Sequence, residues 1–181
     1  AGAGPYRTSH AIFVREGVQS NSLTYNSLTK TRFSDISSST LLLQQVVATE
    51  EQAGIFDIAQ GEMLWLFRRV RSVNQRKKQL ETSWMPVSLF PDLTQEQTDS
   101  SIHGYVQACG YTISHLVTEY SSVNLTREDA ELLAAKKGAA VTRIRNRGYL
   151  RQGVVFELTE SLNINYSVSY MTTFNPDVHT H

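Results

Sequence analysis

Runs of hydrophobic and β-branched residues begin at residue 40, and their lengths predict strands joined by tight turns. Thr40 to Ala48 predicts the first strand. Residues 62–73 and 76–85 predict a hairpin that turns at Asn74-Gln75. The same scheme returns later in the chain, where strands are expected at residues 112–123, 140–150, 154–162 and 166–174.

Short helices are predicted between these strands from their capping signals. Thr49 followed by Gln52 has the form of a capping box, and Thr126 followed by Asp129 is a second helix start. A third helix is expected over residues 101–109, with a glycine as its stop. Long hairpins with short intervening helices predict an α+β fold built on a mostly antiparallel β-sheet with flanking helices.

A fixed offset relates the two halves of this pattern. Thr49 and Thr126 differ by 77 positions, and so do Gly61 and Gly138. Each half reads as a strand, a capped helix, a glycine and a hairpin, which predicts an internal duplication. The alternative is chance, because capped helices that end near a glycine are common.

The ends of the chain are less patterned than its centre. Ser20 to Ser39 is rich in Ser, Thr and Asn and has few apolar residues. We therefore expect residues 1–39 to form a tail or linker, residues 40–174 to form one folded domain, and residues 175–181 to form a C-terminal tail.

The balance of charge bears on the partners of the chain. The 181 residues include 17 Lys and Arg and 17 Asp and Glu, so the formal net charge is zero. A domain that binds the DNA backbone carries an excess of basic side chains, so DNA contact by this chain is not expected. No stretch reaches the roughly 18 apolar residues of a membrane span, and no charged signal sequence is visible. These features predict a cytoplasmic protein without membrane contact.

Motifs of enzymes and cofactor sites are missing from the sequence. No HExxH, GxSxG, Walker or GxGxxG pattern occurs. Cys109 is the single cysteine, which is too few for a disulfide within the chain or a cysteine zinc site. We predict that Cys109 is a buried, unreactive thiol, and we predict no catalytic residue, metal site or cofactor.

Two arginines on one predicted strand are the first candidates for binding chemistry. Because successive side chains of a strand point to opposite faces, Arg69 and Arg71 lie on the same face as Trp65 and Phe67. Their guanidinium groups suit a phosphate, sulfate or carboxylate, because arginine offers a bidentate fork. The alternative is that they are solvated residues at a strand end that protect the sheet edge.

Two glutamates and a helix start are further candidates. Glu81 lies on the hairpin partner of the arginine strand, and Glu157 occupies the related place in the second half, 76 residues later. They can accept ligand hydroxyls, act as a general acid/base pair, or form cross-strand ion pairs. Ser101 and His103 lie at a predicted helix start, where free N–H groups favour an anion. Plain N-capping by a serine is the alternative.

Together these landmarks resemble the effector-binding (UTRA) domain of GntR-type regulators of the HutC subfamily. The resemblance implies a curved antiparallel sheet similar to that of chorismate lyase, a homodimer, and a winged-helix DNA-binding domain that precedes the effector domain and is missing from this chain. The matching stretches run in the family's order with nearly constant spacing: Phe33-Ser34, Leu42 to Ala48, Gly61-Glu62, Arg69-Val70-Arg71, Glu81, Trp84-Met85-Pro86, Leu89 to Leu93, Ser101, Gly148-Tyr149-Leu150 and Phe156-Glu157.

The resemblance also implies roles for the candidate residues. Arg69 and Arg71 are expected to contact an anionic group, often a phosphate, with help from Ser101 and from His103, whose position is commonly a tyrosine in the family. Glu81 and Glu157 are expected to bind sugar-type hydroxyls.

A third group of ligand-binding residues follows from the same resemblance. The family commonly carries a tyrosine at the position of Asn163, and Tyr166 is the nearest candidate for its role. Phe33 and Ser34 complete the predicted ligand-binding set.

The function expected from these features is effector sensing and dimerisation in a bacterial transcriptional regulator. The regulator is expected to repress an operon for uptake or catabolism of a sugar or related metabolite, and its effector to be a phosphorylated sugar or another anionic metabolite. The alternative is an enzyme of the chorismate-lyase-like fold, in which Arg69 or Arg71 holds a small carboxylate and Glu157 is an acid. Fold alone does not choose between the two.

Overall fold

The computed structural model describes residues 11–13, 36–166 and 169–171. In chain order the elements are β1 (Ala11–Phe13), β2 (Ile36–Val47), α1 (Glu50–Phe56), β3 (Met63–Val73), β4 (Arg76–Pro86), α2 (Gln95–Asp99), α3 (Ile102–Ala108), β5 (Ile113–Asn124), α4 (Arg127–Leu133), β6 (Ala140–Leu150), β7 (Val155–Asn163) and β8 (Ser169–Met171).

Six of the strands form one antiparallel sheet in the order β2-β3-β4-β7-β6-β5. The short strands β1 and β8 pair with each other, also antiparallel. The predicted α+β class with a mostly antiparallel sheet is therefore confirmed. Within the described residues, the strand expected over 166–174 is limited to Ser169–Met171.

Two elements differ from the sequence expectation. β2 begins at Ile36 rather than Thr40, because Ser-rich residues extend the ladder with β3, where Ser38 lies opposite Arg71. The serines at the start of β2 show no alternation of hydrophobic and polar residues. The hydrophobic pattern therefore did not predict the longer strand. α2 was not predicted at all, since its five residues, Gln95–Asp99, carry no apolar stripe.

The helix caps follow the capping prediction closely. Thr49 Oγ1 accepts a hydrogen bond from the backbone N–H of Gln52 at 3.2 Å, and the Gln52 side chain accepts one from the Thr49 N–H at 3.1 Å. Thr126 Oγ1 accepts from the Asp129 N–H at 3.1 Å. Each cap satisfies N–H groups that a helix start leaves unpaired.

The strand order is symmetric about its centre. Each half contributes a strand, a helix and a hairpin, and the second strands of the two hairpins, β4 and β7, meet in the middle of the sheet. Ser83 and Thr159, which lie 76 positions apart, face each other at this centre. The arrangement is what a duplicated unit would give, and the duplication itself stays a prediction.

The sheet has two faces, each covered by a different pair of helices. We call the face that carries Phe67, Arg69 and Glu81 the front face; α2 and α3 lie on this side, and Phe67 packs with Ile102 and Val106. The opposite or back face is covered by α1 and α4, whose apolar residues pack on two separate clusters. The front face differs from the back face in burying charged side chains among its core residues.

Candidate functional site

Arg69 is the centre of a buried cluster on the front face. It lies directly opposite Glu81, and its Nε donates a hydrogen bond to Glu81 Oε1 at 2.6 Å. Its Nη1 donates to the backbone carbonyls of Thr98 at 2.6 Å and Ser100 at 3.3 Å. Arg69 and Glu81 are 4% and 3% exposed. The guanidinium therefore ties β3 and β4 to the segment between α2 and α3.

The electrostatics of this cluster keep Glu81 ionised. Burial alone would raise the pKa of this carboxyl, because a charge loses water. The attraction of Arg69 and Arg71, the hydrogen bond from Arg69 and the proximity of His103 outweigh burial and lower the pKa below its ordinary value of 4.5. Gln79 Nε2 adds a contact to Glu81 Oε2 at 3.4 Å. The front face thus holds a buried carboxylate between cationic groups.

Arg71 lies on the same face as Arg69, as the strand alternation predicted. It is buried and stands opposite Gln79, one step along the strand from the Arg69–Glu81 pair. The alternative interpretation of the two arginines as solvated strand-end residues is wrong, because both side chains are enclosed.

A second buried pair joins α3 to the sheet. His103 Nε2 lies 3.3 Å from Glu157 Oε2, and both side chains are 7% exposed. The His103 ring meets the ring of Phe156 edge-on, with 6.0 Å between centroids. Glu157 stands opposite Gly148 on β6. His103 also contributes to the lowered pKa of Glu81, so the two buried pairs influence each other electrostatically.

Ser101 serves as the N-cap of α3. Its Oγ accepts a hydrogen bond from the Gly104 N–H at 3.1 Å, and the residue is exposed. The capping alternative that the sequence left open is therefore realised. The preceding turn is anchored to β2, because the Thr40 N–H donates to Asp99 Oδ1 at 2.6 Å and the Thr40 and Thr98 hydroxyls lie 2.8 Å apart.

The remaining predicted site residues lie elsewhere. Tyr166 stacks on Tyr120 of β5, with 5.9 Å between ring centroids. β5 is the edge strand three places across the sheet from β4, so Tyr166 is not brought beside Glu81. Phe33 and Ser34 lie outside the described residues.

Four buried polar residues lie on the front face beside the Arg69–Glu81 and His103–Glu157 pairs, and all but Asn163 were missed by the sequence analysis. We call them the polar floor: Ser83 on β4, and Thr159, Ser161 and Asn163 on β7. Ser83 Oγ and Thr159 Oγ1 lie 2.9 Å apart, and Asn163 Nδ2 donates to Ser161 Oγ at 3.0 Å. The signal that could have revealed them is the alternation of polar residues at 159, 161 and 163, on the side of the strand that also carries Glu157.

The back face holds a separate cavity of about 520 Å³. Its lining includes Trp84, Arg145 and Glu160, and Arg145 Nε donates to Glu160 Oε2 at 2.8 Å. Both partners of this ion pair are partly exposed, unlike those of the front-face pairs. The cavity shares no charged residue with the front-face cluster, although Thr159 of the polar floor also lines it.

Some of the sequence expectations concern chemistry other than ligand binding. Cys109 is exposed, so the prediction of a buried thiol is wrong; it follows the last residue of α3. Among the described residues, no group of His, Cys, Asp and Glu is arranged to hold a metal ion. No helix in that part of the chain is long and apolar enough to cross a bilayer.

Comparison with known proteins identifies the relatives of this chain. It is 27% identical over 135 residues to the mannosyl-D-glycerate transport/metabolism system repressor MngR of Escherichia coli (strain K12), covering 72% of this chain and 55% of that protein. It is 30% identical over 120 residues to the HTH-type transcriptional repressor NagR of Bacillus subtilis (strain 168), covering 66% and 49%. The chain thus spans about half the length of the curated relatives it matches.

Structural comparison supports the same relationship at the level of the fold. A GntR-family transcriptional regulator from Enterococcus faecalis V583 superposes with a TM-score of 0.66 at 22% identity, covering 70% of this chain and 92% of that one. Residues 33–164 match the UTRA domain family. The chain therefore belongs to the UTRA domain family of GntR-type transcriptional regulators, consistent with the HutC subfamily that its sequence predicted.

Proposed function

We propose that this domain senses a small metabolite that carries both an anionic group and hydroxyl groups, and that the front face is where it binds. The observation that carries the proposal is the burial of the Arg69–Glu81 ion pair and of the His103–Glu157 contact on one face of the sheet. Buried charges are costly to keep unless they serve binding or form tight pairs. A face with arginines beside one glutamate and a second glutamate along the sheet offers partners to both kinds of group.

The chemistry of the cluster favours a phosphorylated sugar or a related anionic metabolite. Arg71 can offer a guanidinium fork to a phosphate or carboxylate, and Arg69 adds positive charge beside it. Glu81 and Glu157 accept hydrogen bonds from hydroxyls. The relative MngR is named for mannosyl-D-glycerate, a compound in which a sugar is joined to a carboxylate, and it fits this ligand class.

We further propose that the domain acts within a homodimeric, cytoplasmic bacterial repressor of a sugar or related metabolite operon. A winged-helix DNA-binding domain outside this chain would contact the operator. Effector binding would change DNA affinity by favouring one dimer arrangement over another, which requires different effector affinity for the two arrangements. The zero net charge of the chain agrees with a sensing rather than a DNA-binding role.

A thermal-shift screen tests the ligand class. The panel contains inorganic phosphate, hexose 6-phosphates with and without a 2-amino or N-acetyl group, and mannosyl-D-glycerate. A ligand that binds only the folded state raises the midpoint of unfolding. We expect at least one sugar derivative to raise the midpoint of the wild type and to have much less effect on Glu157→Gln.

The control for this screen is Arg145→Gln, which changes the back-face cavity. Each ligand should raise the unfolding midpoint of this variant as much as it raises that of the wild type. Stabilisation by no member of the panel would contradict the proposed ligand class. Because we propose no enzymatic activity, release of pyruvate from chorismate by the purified domain would instead favour the chorismate-lyase-like alternative.

A further inference from the structure

We infer that the polar floor is a hydroxyl-binding subsite that makes the domain specific for the polyhydroxylated body of its effector. The inference rests on the proposed function, and it adds a recognition site for the uncharged part of the ligand. The polar floor consists of Ser83, Thr159, Ser161 and Asn163, as defined above.

The position of the polar floor is central. Ser83 and Thr159 face each other where β4 meets β7, in the middle of the sheet. Ser161 stands directly opposite Glu81. Glu157 lies two residues before Thr159 and on the same side of β7. A ligand that spans the two carboxylates must therefore pass over these hydroxyls.

The hydrogen-bond inventory leaves donors unused in this buried place. Two hydroxyls that bond to each other satisfy only one of their two O–H groups. Ser83 and Thr159 are such a pair, and neither hydroxyl has another hydrogen bond within the described residues. Ser161 Oγ accepts from Asn163, and its own O–H has no acceptor in the same part of the chain. Buried polar groups are normally satisfied, so unused donors point to a missing partner.

His103 supplies an independent observation. Its side chain is 7% exposed, and its Nδ1 is buried without a hydrogen bond among the described residues. Its Nε2 lies 3.3 Å from Glu157 Oε2, and Glu157 is two residues before Thr159 of the polar floor on the same side of β7. The unpartnered ring nitrogen beside Glu157 and the unused hydroxyl donors of the floor are two separate signs of a missing polar partner on the front face.

The combination of groups fits a sugar ring or similar polyol. Each ligand hydroxyl can donate to a carboxylate and accept from a serine or threonine hydroxyl. The floor side chains are small, whereas the aromatic Phe67 stands opposite Ser83 on β3. An inorganic anion would contact only the arginines and would make no hydrogen bonds to the polar floor.

The double variant Ser83→Ala/Thr159→Val tests the inference. Removing both partners of a hydrogen bond while keeping their shape changes stability little, so the double variant should fold. Dissociation constants are measured by calorimetry for the hexose 6-phosphate or glycoside of the panel that binds most tightly and, separately, for inorganic phosphate. We expect at least a tenfold loss for the sugar derivative and less than a twofold change for inorganic phosphate.

The matched control is Thr82→Val, which changes a hydroxyl residue of β4 on the back face. It should leave both dissociation constants unchanged. A double variant that binds the sugar derivative as the wild type does would overturn the inference, and so would a wild type that binds inorganic phosphate as tightly as any sugar derivative. In the second case the domain would still be a sensor of anions, and only the proposed hydroxyl subsite would be contradicted. A wild type that binds neither class would contradict the proposed function as well.

Discussion

The pairing of Arg69 with Glu81 is the interaction on which the front face depends at the level of single residues. Each side chain is buried, and the arginine also holds the backbone carbonyls of Thr98 and Ser100. Losing one partner of a buried ion pair leaves the other charge without compensation, which costs far more than losing an exposed pair. The two kinds of pair occur in this chain on opposite faces.

Glu81→Ala should destabilise the fold by about 3 kcal/mol, because it leaves the Arg69 charge buried without its carboxylate. Glu160→Ala removes the partner of Arg145 in a pair that is 52% and 36% exposed, and it should cost less than about 1 kcal/mol. Urea unfolding of both variants measures the difference. Equal losses in the two variants would contradict the importance assigned to the buried pair.

The dependence of stability on pH follows from the lowered pKa of Glu81. Burial works to raise this pKa, but Arg69 and Arg71 more than offset it, with a smaller attraction from His103. Because the folded-state pKa is below the ordinary value of 4.5, the stability from ionised Glu81 is fully present above pH 4.5 and is lost as pH falls through the lowered pKa.

Glu81→Gln removes this titration, so it serves as the comparison. The stability difference between the wild type and Glu81→Gln should be constant from neutral pH to about the ordinary glutamate pKa and should narrow below it. Urea unfolding from neutral pH to pH values below the ordinary glutamate pKa measures this stability difference. A difference that grows as pH falls would show that Glu81 has a raised rather than a lowered pKa.

At the scale of elements, the close packing of β6 on β7 requires a residue without a side chain. A Cβ on Gly148 would stand 2.6 and 2.8 Å from two ring carbons of Phe156, which is fully buried and also touches His103. Contacts this short force the core to shift. The same packing therefore holds both the sheet and the histidine of the candidate site.

Gly148→Ala should destabilise the protein by about 1–3 kcal/mol through this overpacking. Gly54→Ala is the matched control, because a Cβ at this position of α1 meets nothing within 4 Å. It should be neutral or should stabilise by up to about 1 kcal/mol, since alanine favours helix more than glycine does. Thermal unfolding distinguishes the two, and a stable Gly148→Ala variant would mean that Phe156 moves at little cost.

Elements with strong local signals could be predicted from the sequence. The capping residues Thr49 and Thr126, the turn at 74–75 and the bounds of β6 follow from side-chain chemistry and hydrophobic period alone. α2 could not be predicted, because its position depends on tertiary contacts with β2 rather than on its own pattern.

The candidate site was predictable only in part, for a similar reason. Arg69, Arg71, Glu81 and Glu157 followed from strand alternation and from the family resemblance. The polar floor depends on which strands are neighbours in the sheet, since Ser83 and Thr159 are 76 positions apart and meet only through the pairing of β4 with β7. Sequence alternation marks such residues as sharing a face but does not show what lies across from them.

At the scale of the whole molecule, the symmetric sheet carries an asymmetric site. The two hairpins are related across the β4–β7 centre, yet Arg69 stands opposite Glu81 while Gly148 stands opposite Glu157. An arginine therefore faces the glutamate of the first half only. In the second half, His103 lies beside Glu157 instead. This arrangement predicts one effector per chain rather than two.

Calorimetric titration measures that number directly. A stoichiometry of one effector per chain agrees with a single cleft that uses both halves. A stoichiometry of two would indicate that the halves bind separately, as two independent copies of one site would.

The most direct test of front-face sensing compares two arginine Nε–H groups by NMR. Arg69 Nε donates to Glu81 on the front face, and Arg145 Nε donates to Glu160 beside the back-face cavity. Titration with the sugar phosphates and mannosyl-D-glycerate of the panel should shift the Arg69 signal and leave the Arg145 signal in place. A shift of the Arg145 signal alone, or no shift of either signal with any member of the panel, would contradict sensing at the front face.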